Sequence, residues 1–237
     1  MGAIFRRELK NYFTTSLGYI FIGLYLLFAS VSFVMSIFLP NMLQGQTVYY
    51  ANLLDFLAWV GIFLIPILTM RLWPEEKSQK TDYLLLTSPN SLYKIVLGKY
   101  FAALVMFLIV TVITFVYAGL CIGFANSEVL NILINYIGFI LLGASFIAIG
   151  FFASVITNNQ VVAAIIGFVL CMGSLLLSSV ASNFNEVVRE VVLWLSIPVR
   201  FSSFLMGRLV VEDIIYLLTF SVLMIVIITK IIEMKKR

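Results

Sequence analysis

The chain has 237 residues, of which 62% are hydrophobic and only 11% are charged, and its mean hydropathy is +1.11. Soluble domains average about 25% charged and about 45–50% apolar residues, so this composition excludes a soluble protein. The net charge of +4 is small and lies mainly beside long apolar runs, which argues against a nucleic-acid-binding protein. At about 20 apolar residues for each crossing, the length allows about five to seven membrane spans.

The residue types that build most metal and catalytic centres are scarce. The chain has no His, and Cys121 and Cys171 lie in separate apolar runs, so no metal site is predicted. We expect both cysteines to pack as small hydrophobic side chains. Gly98-Lys99 lacks the preceding glycines of a phosphate-binding loop, and no G-x-S-x-G motif occurs. If the chain moves a solute, we expect the energy to come from another subunit.

The first residues predict a helix lying in the membrane interface. Over residues 3–16, Phe5, Leu9 and Tyr12 share one helical stripe, and an apolar stripe opposed by basic residues is typical of interfacial helices. The basic residues on the other side are Arg6, Arg7 and Lys10. A plain positive flank of the first span would account for the same charges, so both interpretations stay open.

Six long apolar runs predict six transmembrane helices. The predicted spans cover residues 17–39, 50–70, 100–123, 132–156, 161–181 and 212–232. The first run is too long for the apolar core of a signal peptide and lacks a clear small-residue cleavage site, so we expect it to be retained. The predicted fold class is an all-α polytopic membrane protein with a single domain over residues 1–237.

One acidic residue falls inside a predicted span. Asp55 lies about a turn and a half inside the outer end of the second span, and an ionisable residue at membrane depth is a candidate for a substrate pathway. This close to the interface, its carboxylate could equally reach water. We expect Asp55 to be the only acidic side chain that is even partly buried. That expectation argues against the series of acids typical of proton-driven carriers.

The main water-facing feature is the central loop, which we define as residues 71–99. Its eight charged residues are Arg71, Glu75, Glu76, Lys77, Lys80, Asp82, Lys94 and Lys99. Pro74 followed by two acids favours a helix start, and this helix is predicted to run to about Leu86. Ser91 is suited to cap the third span. An ordinary solvated loop between two spans is the alternative.

Residues 182–211 predict two short helices that dip into the membrane and return, or lie on its surface. In the first piece, five apolar residues share one helical face: Val187, Val188, Val191, Val192 and Leu195. Pro198 is predicted to end that piece, and the second piece closes at Gly207. Neither piece is long enough to span.

The distribution of Lys and Arg predicts the orientation. With six spans and the N-terminus inside, twelve of the fifteen basic residues lie on the inner side. The three on the outer side are Arg189, Arg200 and Arg208. Because cytoplasmic loops carry the excess of Lys and Arg, both termini and the central loop are predicted to be cytoplasmic. The protein is expected to lie in the cell (inner or plasma) membrane.

Four ordered segments carry a family resemblance that covers nearly the whole chain. They are FRRELKNYF followed by GYIF, then R-x-W-x-E-E-K-x-x-x-T-D-Y-L-L-L-T-S-P followed by I-V-L-G-K-Y, then FFASVITNNQVVAAI, and last RFSSFLMGRLVVEDIIYLL. This set resembles the permease subunits of ABC transporters of the type-2 exporter class. It looks closest to the branch of gliding-motility-associated permeases.

The resemblance implies ATP-driven export. Two permease chains, identical or related, would enclose the pathway in the bilayer, and two separate ABC subunits would bind ATP and Mg²⁺. This chain would then hold no cofactor and would not itself be an enzyme. An alternative is a membrane module of the same class that transmits force or a signal to an extracytoplasmic partner without moving a substrate.

The resemblance also implies roles for segments and residues. Residues 3–16 would form an elbow helix, Glu75–Leu86 the coupling helix, and residues 184–207 the outer re-entrant helices. The expected contacts with the ATP-binding subunit are Glu75, Glu76, Lys77, Thr81 and Asp82. The residues expected to form the outer segment are Arg189, Trp194, Pro198, Phe201, Phe204 and Gly207. For each coupling residue, a merely solvated helix face is the alternative.

Overall fold

The computed structural model describes residues 2–39, 50–78, 91–125, 129–180, 185, 190 and 196–236. Across these ranges the secondary structure is helical and no strand occurs. The helices are α1 (Gly2–Thr14), α2 (Ser16–Phe33, continued by a π-helical turn at Val34–Phe38), α3 (Ala51–Thr69), α4 (Pro74–Ser78), α5 (Leu92–Ala125), α6 (Val129–Ile156), α7 (Gln160–Val180), α8 (Ile197–Leu205) and α9 (Val211–Lys236).

Six helical stretches within the described residues are long and apolar enough to cross a membrane. They are Ser16–Phe38, Ala51–Ser78, Leu92–Gly123, Val129–Ile156, Gln160–Leu177 and Val211–Met234. Each overlaps one predicted span. The prediction of an all-α, multi-pass membrane protein with six spans is therefore confirmed.

Helix α6 lies at the centre of the bundle. It packs against α3, α5, α7, α8 and α9. Small residues let these neighbours approach, because a Cβ added at Gly143 would lie 2.2 Å from Phe107 and one added at Gly150 would lie 2.2 Å from Thr69. By contrast, a Cβ added at Gly119 or Gly123 of α5 would have nothing within 4 Å.

Helix α5 begins eight residues before the predicted third span. It starts at Leu92, directly after Ser91, and continues without interruption to Ala125. At about 1.5 Å per residue, its 34 residues exceed a hydrocarbon core of about 30 Å. Its first turns carry the exposed Lys94 and the buried Lys99.

The two ends of the bundle differ in their additional elements. At one end, the separate helix α1 packs on α5, and α4 follows α3. We name this the charged end. At the opposite end, α8 packs against α6, α7 and α9. The six candidate spans alternate in direction between these ends, as the predicted topology requires; which end faces the cytoplasm stays a prediction.

The predicted outer segment is only partly described. Its second piece is the short helix α8, as predicted, and Gly207 closes it with a φ of +71°. Pro198 lies in the first turn of α8, so it stands at the start of a helix and not, as predicted, at the end of one. A proline has no N–H to lose at a helix start, which explains this difference. The first piece, with Arg189 and Trp194, lies outside the described residues.

Candidate functional site

Four charged residues meet at the charged end, and we call them the charge cluster: Arg7, Glu8, Glu76 and Lys99. Lys99 is only 1% exposed. Its Nζ lies 3.2 Å from Glu8 Oε1 and 3.0 Å from Glu76 Oε1, and it donates a 2.7 Å hydrogen bond to the carbonyl of Leu72. One ammonium therefore joins α5 to α1, to α4 and to the segment after α3.

Arg7 closes the charge cluster from the water side. Its Nη2 bonds to Glu8 Oε1 at 2.8 Å and also to Glu76 Oε1, while its own side chain stays 48% exposed. The cluster thus contains two cations and two carboxylates and has no net charge. Buried ions are tolerated when they are paired in this way, and removing one partner leaves an uncompensated charge.

The charge cluster changes the acidity of its members in α1. Burial alone would raise the pKa of the Glu8 carboxyl, but the Lys99 ammonium and the Arg7 guanidinium outweigh burial and hold that pKa below its ordinary value of 4.5. Burial alone would lower the pKa of the Arg7 guanidinium, but the neighbouring carboxylates of Glu8 and Glu76 outweigh burial and raise that pKa above its ordinary value. Glu8 and Arg7 therefore both carry their charges at neutral pH.

Lys77 ties α4 to the end of α6. Its Nζ bonds to the Thr157 carbonyl at 3.1 Å and to Asn158 Oδ1 at 2.8 Å, with the Val155 carbonyl at 3.5 Å. A cation at the carboxyl end of a helix meets the free carbonyls and the negative end of the helix dipole. The short helix α4 is thus attached to three spans through α3, Lys99 and Lys77.

Two further contacts join α4 and α1 to the end of α3 and the segment that follows it. Arg71 and Glu75 form a two-pronged ion pair, with Nε–Oε2 at 3.0 Å and Nη2–Oε1 at 2.6 Å. The hydroxyl of Tyr12 donates to the Leu68 carbonyl at 3.0 Å, which joins α1 to the end of α3. α1 is therefore packed against the bundle, and its position in the membrane interface stays a prediction.

The predicted coupling residues occupy different environments. Glu76 is buried in the charge cluster, 6% exposed, so its carboxylate faces other helices of the same chain. Glu75 and Lys77 are half-buried and are engaged within the chain, and Ser78 is exposed. Thr81 and Asp82 lie outside the described residues. Of the predicted elbow residues, Arg6 and Lys10 are exposed, while Arg7 belongs to the charge cluster.

The sequence patterns predicted no site role for Glu8 or Lys99. Glu8 is the one acid of a basic segment and lies three residues after Phe5 and four before Tyr12, on the apolar stripe. An acid on the buried side of a helix requires a cation, so this position was a usable signal. Lys99 offers a weaker signal, because a lysine at the start of a span is ordinarily expected to reach water.

At the opposite end, several predicted residues border one groove between α3, α6, α7 and α8. Its volume is about 280 Å³, and its lining includes Asp55, Trp59, Phe146, Leu175, Phe201 and Leu205. Pro198 lies at the same groove. The structure therefore brings the predicted pathway residue Asp55 together with two predicted outer residues, Pro198 and Phe201.

The rest of α8 is fixed by close packing. Phe204 is fully buried against Gly138 of α6, where an added Cβ would lie 2.4 Å from its ring. Arg200 bonds to Asp213 Oδ1 at 2.8 Å and lies over the ring of Tyr216, 5.4 Å from its centre. This ion pair joins α8 to the first turn of α9.

The expectation that only Asp55 is even partly buried is wrong. Asp55 is exposed, whereas Asp213 is 2%, Glu76 is 6% and Glu8 is 8% exposed. The reason is that each buried acid has a cation from another helix, namely Arg200 or Lys99. Cys121 and Cys171 are free and buried among apolar side chains, as predicted.

The chain matches no protein-family model, and no curated protein matches it. Its function is therefore inferred from its own residues and their arrangement.

Proposed function

We propose that the chain is the membrane permease subunit of an ATP-driven exporter of the ABC class. Two copies, or this chain and a related one, would enclose the pathway. Separate ATP-binding subunits, which hold ATP and Mg²⁺, would dock at the charged end, in the cytoplasm. The chain itself would supply no catalytic residue.

The observation that carries this proposal is the anchoring of α4. A subunit that uses another subunit's ATP must convert a push at its surface into a movement of its spans. The α4 segment is bonded to α1, α5 and α6 through Glu76, Lys99 and Lys77. A force on the exposed end of α4, at Ser78, would therefore reach several helices at once. A merely solvated loop would need none of these buried bonds.

The first test is affinity purification of the full chain from its native membrane, with the co-purifying proteins identified and an ATPase assay of the product. We expect a stoichiometric subunit that carries a phosphate-binding loop, together with ATP hydrolysis. If gentle detergents recover no such subunit, the proposal fails, and a self-contained structural membrane protein becomes the better account.

The docking surface is tested separately by photo-crosslinking. A photoreactive group at Ser78 should capture the ATP-binding subunit, because this side chain is exposed at the end of α4. The matched control is Met206, which is 71% exposed at the opposite end. Equal capture from both positions, or capture from Met206 alone, would contradict docking at the charged end.

Charge reversal at Glu75 and Glu76 together is a less specific test of coupling. Glu76→Lys would place a third cation beside Arg7 and Lys99, so loss of activity could follow from disruption of the charge cluster. Glu75→Lys alone removes only the half-buried pair with Arg71. We expect this variant to insert normally and to lower coupled ATPase activity, which is measured against the unaltered complex.

A further inference from the structure

We propose that the groove between α3, α6, α7 and α8 binds a single-chain amphiphile with a cationic headgroup, whose ammonium pairs with Asp55. This inference rests on the proposed function and deepens it, because it names the chemical class that the pathway would accept. It can nevertheless be tested by binding alone, without the ATP-binding subunit.

The walls of the groove are apolar and partly aromatic. Trp59 and Ile62 of α3 face Leu142 and Phe146 of α6, and Phe201 of α8 closes one side. Ser202 also lines the groove, but its hydroxyl is already bonded to the Val199 carbonyl at 2.6 Å. Pockets of this kind bind hydrophobic molecules and use a few polar groups to orient them.

Asp55 is the charged group of the groove lining, and it makes no hydrogen bond or ion pair with any described residue. The basic residue of α8, Arg200, is already engaged by Asp213 and Tyr216 of α9. A carboxylate beside apolar walls favours a positively charged ligand, because a ligand that covers the carboxylate removes water from it and must supply a counter-charge. Asp55 would repel an anionic ligand, and a neutral ligand would leave the carboxylate without a counter-charge.

An aromatic ring stands next to this carboxylate. Trp59 follows Asp55 by one helical turn on α3 and is 44% exposed at the groove. The face of a tryptophan attracts organic cations, quaternary ammonium groups in particular. Carboxylate and indole together therefore favour an ammonium headgroup over an isolated metal ion.

The size of the groove limits the ligand. Its volume of about 280 Å³ is at the lower end of ligand pockets, which typically span about 300–1,000 Å³. The groove can hold one headgroup and the adjoining part of one chain. A lipid with two chains would have to leave most of its apolar surface outside.

The experiment is photo-labelling of the purified full chain in phosphatidylcholine nanodiscs. Three probes carry the same alkyl chain and a diazirine but differ in headgroup: trimethylammonium, carboxylate and a neutral sugar. We expect the ammonium probe to label peptides of α3 and α8 at a concentration about tenfold lower than the other two. Dodecyltrimethylammonium should compete with this labelling.

Substitutions assign the preference to Asp55. Asp55→Asn should reduce the ammonium preference about tenfold, as expected for the loss of one charge-assisted contact, and Asp55→Glu should restore it. The matched control is Glu212→Gln, which removes an exposed carboxylate from the first turn of α9 at the same end but outside the groove. Ala58→Phe, which fills the groove, should reduce labelling by every probe.

Equal labelling by the three probes would overturn the inference. So would an ammonium preference that persists in Asp55→Asn, or one that falls equally in Glu212→Gln, since both outcomes indicate a general attraction at the membrane surface. Loss of the ammonium preference while the ATP-binding subunit is still recovered would leave the proposed function standing. Binding without any recovered ATPase would refute the proposed function and leave the binding site.

Discussion

At the scale of residues, the charge cluster balances the desolvation of buried ions against the attraction between them. Glu8 and Glu76 both face the ammonium of Lys99, and the guanidinium of Arg7 covers them from the water side. A buried pair of this kind contributes modestly when complete, because desolvation offsets attraction, but it is costly when one partner is removed. Its members should therefore be sensitive to single substitutions.

Lys99→Met should lower stability strongly. The carboxylates of Glu8 and Glu76 would lose the Lys99 ammonium, and the Leu72 carbonyl would lose its donor. Breaking a buried pair costs about 3–5 kcal/mol, and thermal unfolding of the purified chain in detergent should show a fall in Tm. Lys94→Met is the matched control, since Lys94 is exposed on the same helix. Equal Tm values for the two variants would contradict a structural role for Lys99.

The lowered pKa of Glu8 predicts how stability depends on pH. Because the folded carboxyl binds its proton less readily than the unfolded one, its contribution is complete well above 4.5 and is lost as the pH falls below 4.5 and through the lowered folded pKa. The stability difference between the unaltered chain and Glu8→Gln should thus be constant near neutral pH and shrink in acid. Melting curves across this range measure it.

The charged groups facing Glu8 supply the control for this pH series. Arg7 and Lys99 hold the carboxyl in its ionised form, and Glu76 shares both cations. In the background of Lys99→Met, the pH-dependent part of the Glu8→Gln effect should become smaller. A difference that is unchanged by Lys99→Met would show that another group causes the acid sensitivity.

At the scale of elements, α6 sets how closely the spans pack. Its neighbours are held by hydroxyl-to-carbonyl bonds as well as by shape: Tyr100 of α5 donates to the Ala144 carbonyl at 3.0 Å, and Ser145 of α6 donates to the Leu217 carbonyl of α9 at 3.4 Å. In lipid, small residues and interhelical hydrogen bonds replace the hydrophobic effect as the source of helix association.

Gly143→Ala should destabilise the bundle. The new Cβ would lie 2.2 Å from Phe107 Cε1, so the ring of this buried residue would have to move. Overpacking of this kind costs about 1–3 kcal/mol. Gly119→Ala serves as the control, because its Cβ would meet nothing within 4 Å and alanine is the better helix former by about 1 kcal/mol. Thermal unfolding measures the Tm of both variants. An equal fall in Tm for Gly143→Ala and Gly119→Ala would refute close packing at Gly143.

At the scale of the whole molecule, the bundle has a charged end and an end closed by α8. Charged groups join separate elements at both ends: the charge cluster at the first and Arg200–Asp213 at the second. The distribution of Lys and Arg predicts that the charged end faces the cytoplasm. This orientation decides from which side an ATP-binding subunit could dock.

Cysteine labelling tests the orientation. A membrane-impermeant maleimide added outside intact cells should label Met206→Cys and should label Ser91→Cys only after the membrane is opened. Both side chains are exposed, and the native Cys121 and Cys171 are buried, so their background should be low. Labelling of Ser91→Cys in intact cells would reverse the topology and remove the cytoplasmic docking surface.

The sequence by itself determined the fold class, the number of candidate spans and the presence of the separate short helices α1, α4 and α8. Apolar runs of sufficient length allow little other than spanning helices, because backbone groups in lipid must bond within their own segment. The same reasoning predicted the closing turn at Gly207 and the helix start at Pro74. These are local properties, and short-range geometry suffices for them.

Only the tertiary structure decided which charges are buried. Lys99 is about ninety residues from Glu8 and about twenty from Glu76 along the chain, and its burial depends on α1 folding back onto α5. The tertiary structure also buries Glu76 and places Asp55 at a groove lined by α8. The physical reason is that the cost of a buried charge depends on its partners, and those partners come from distant helices.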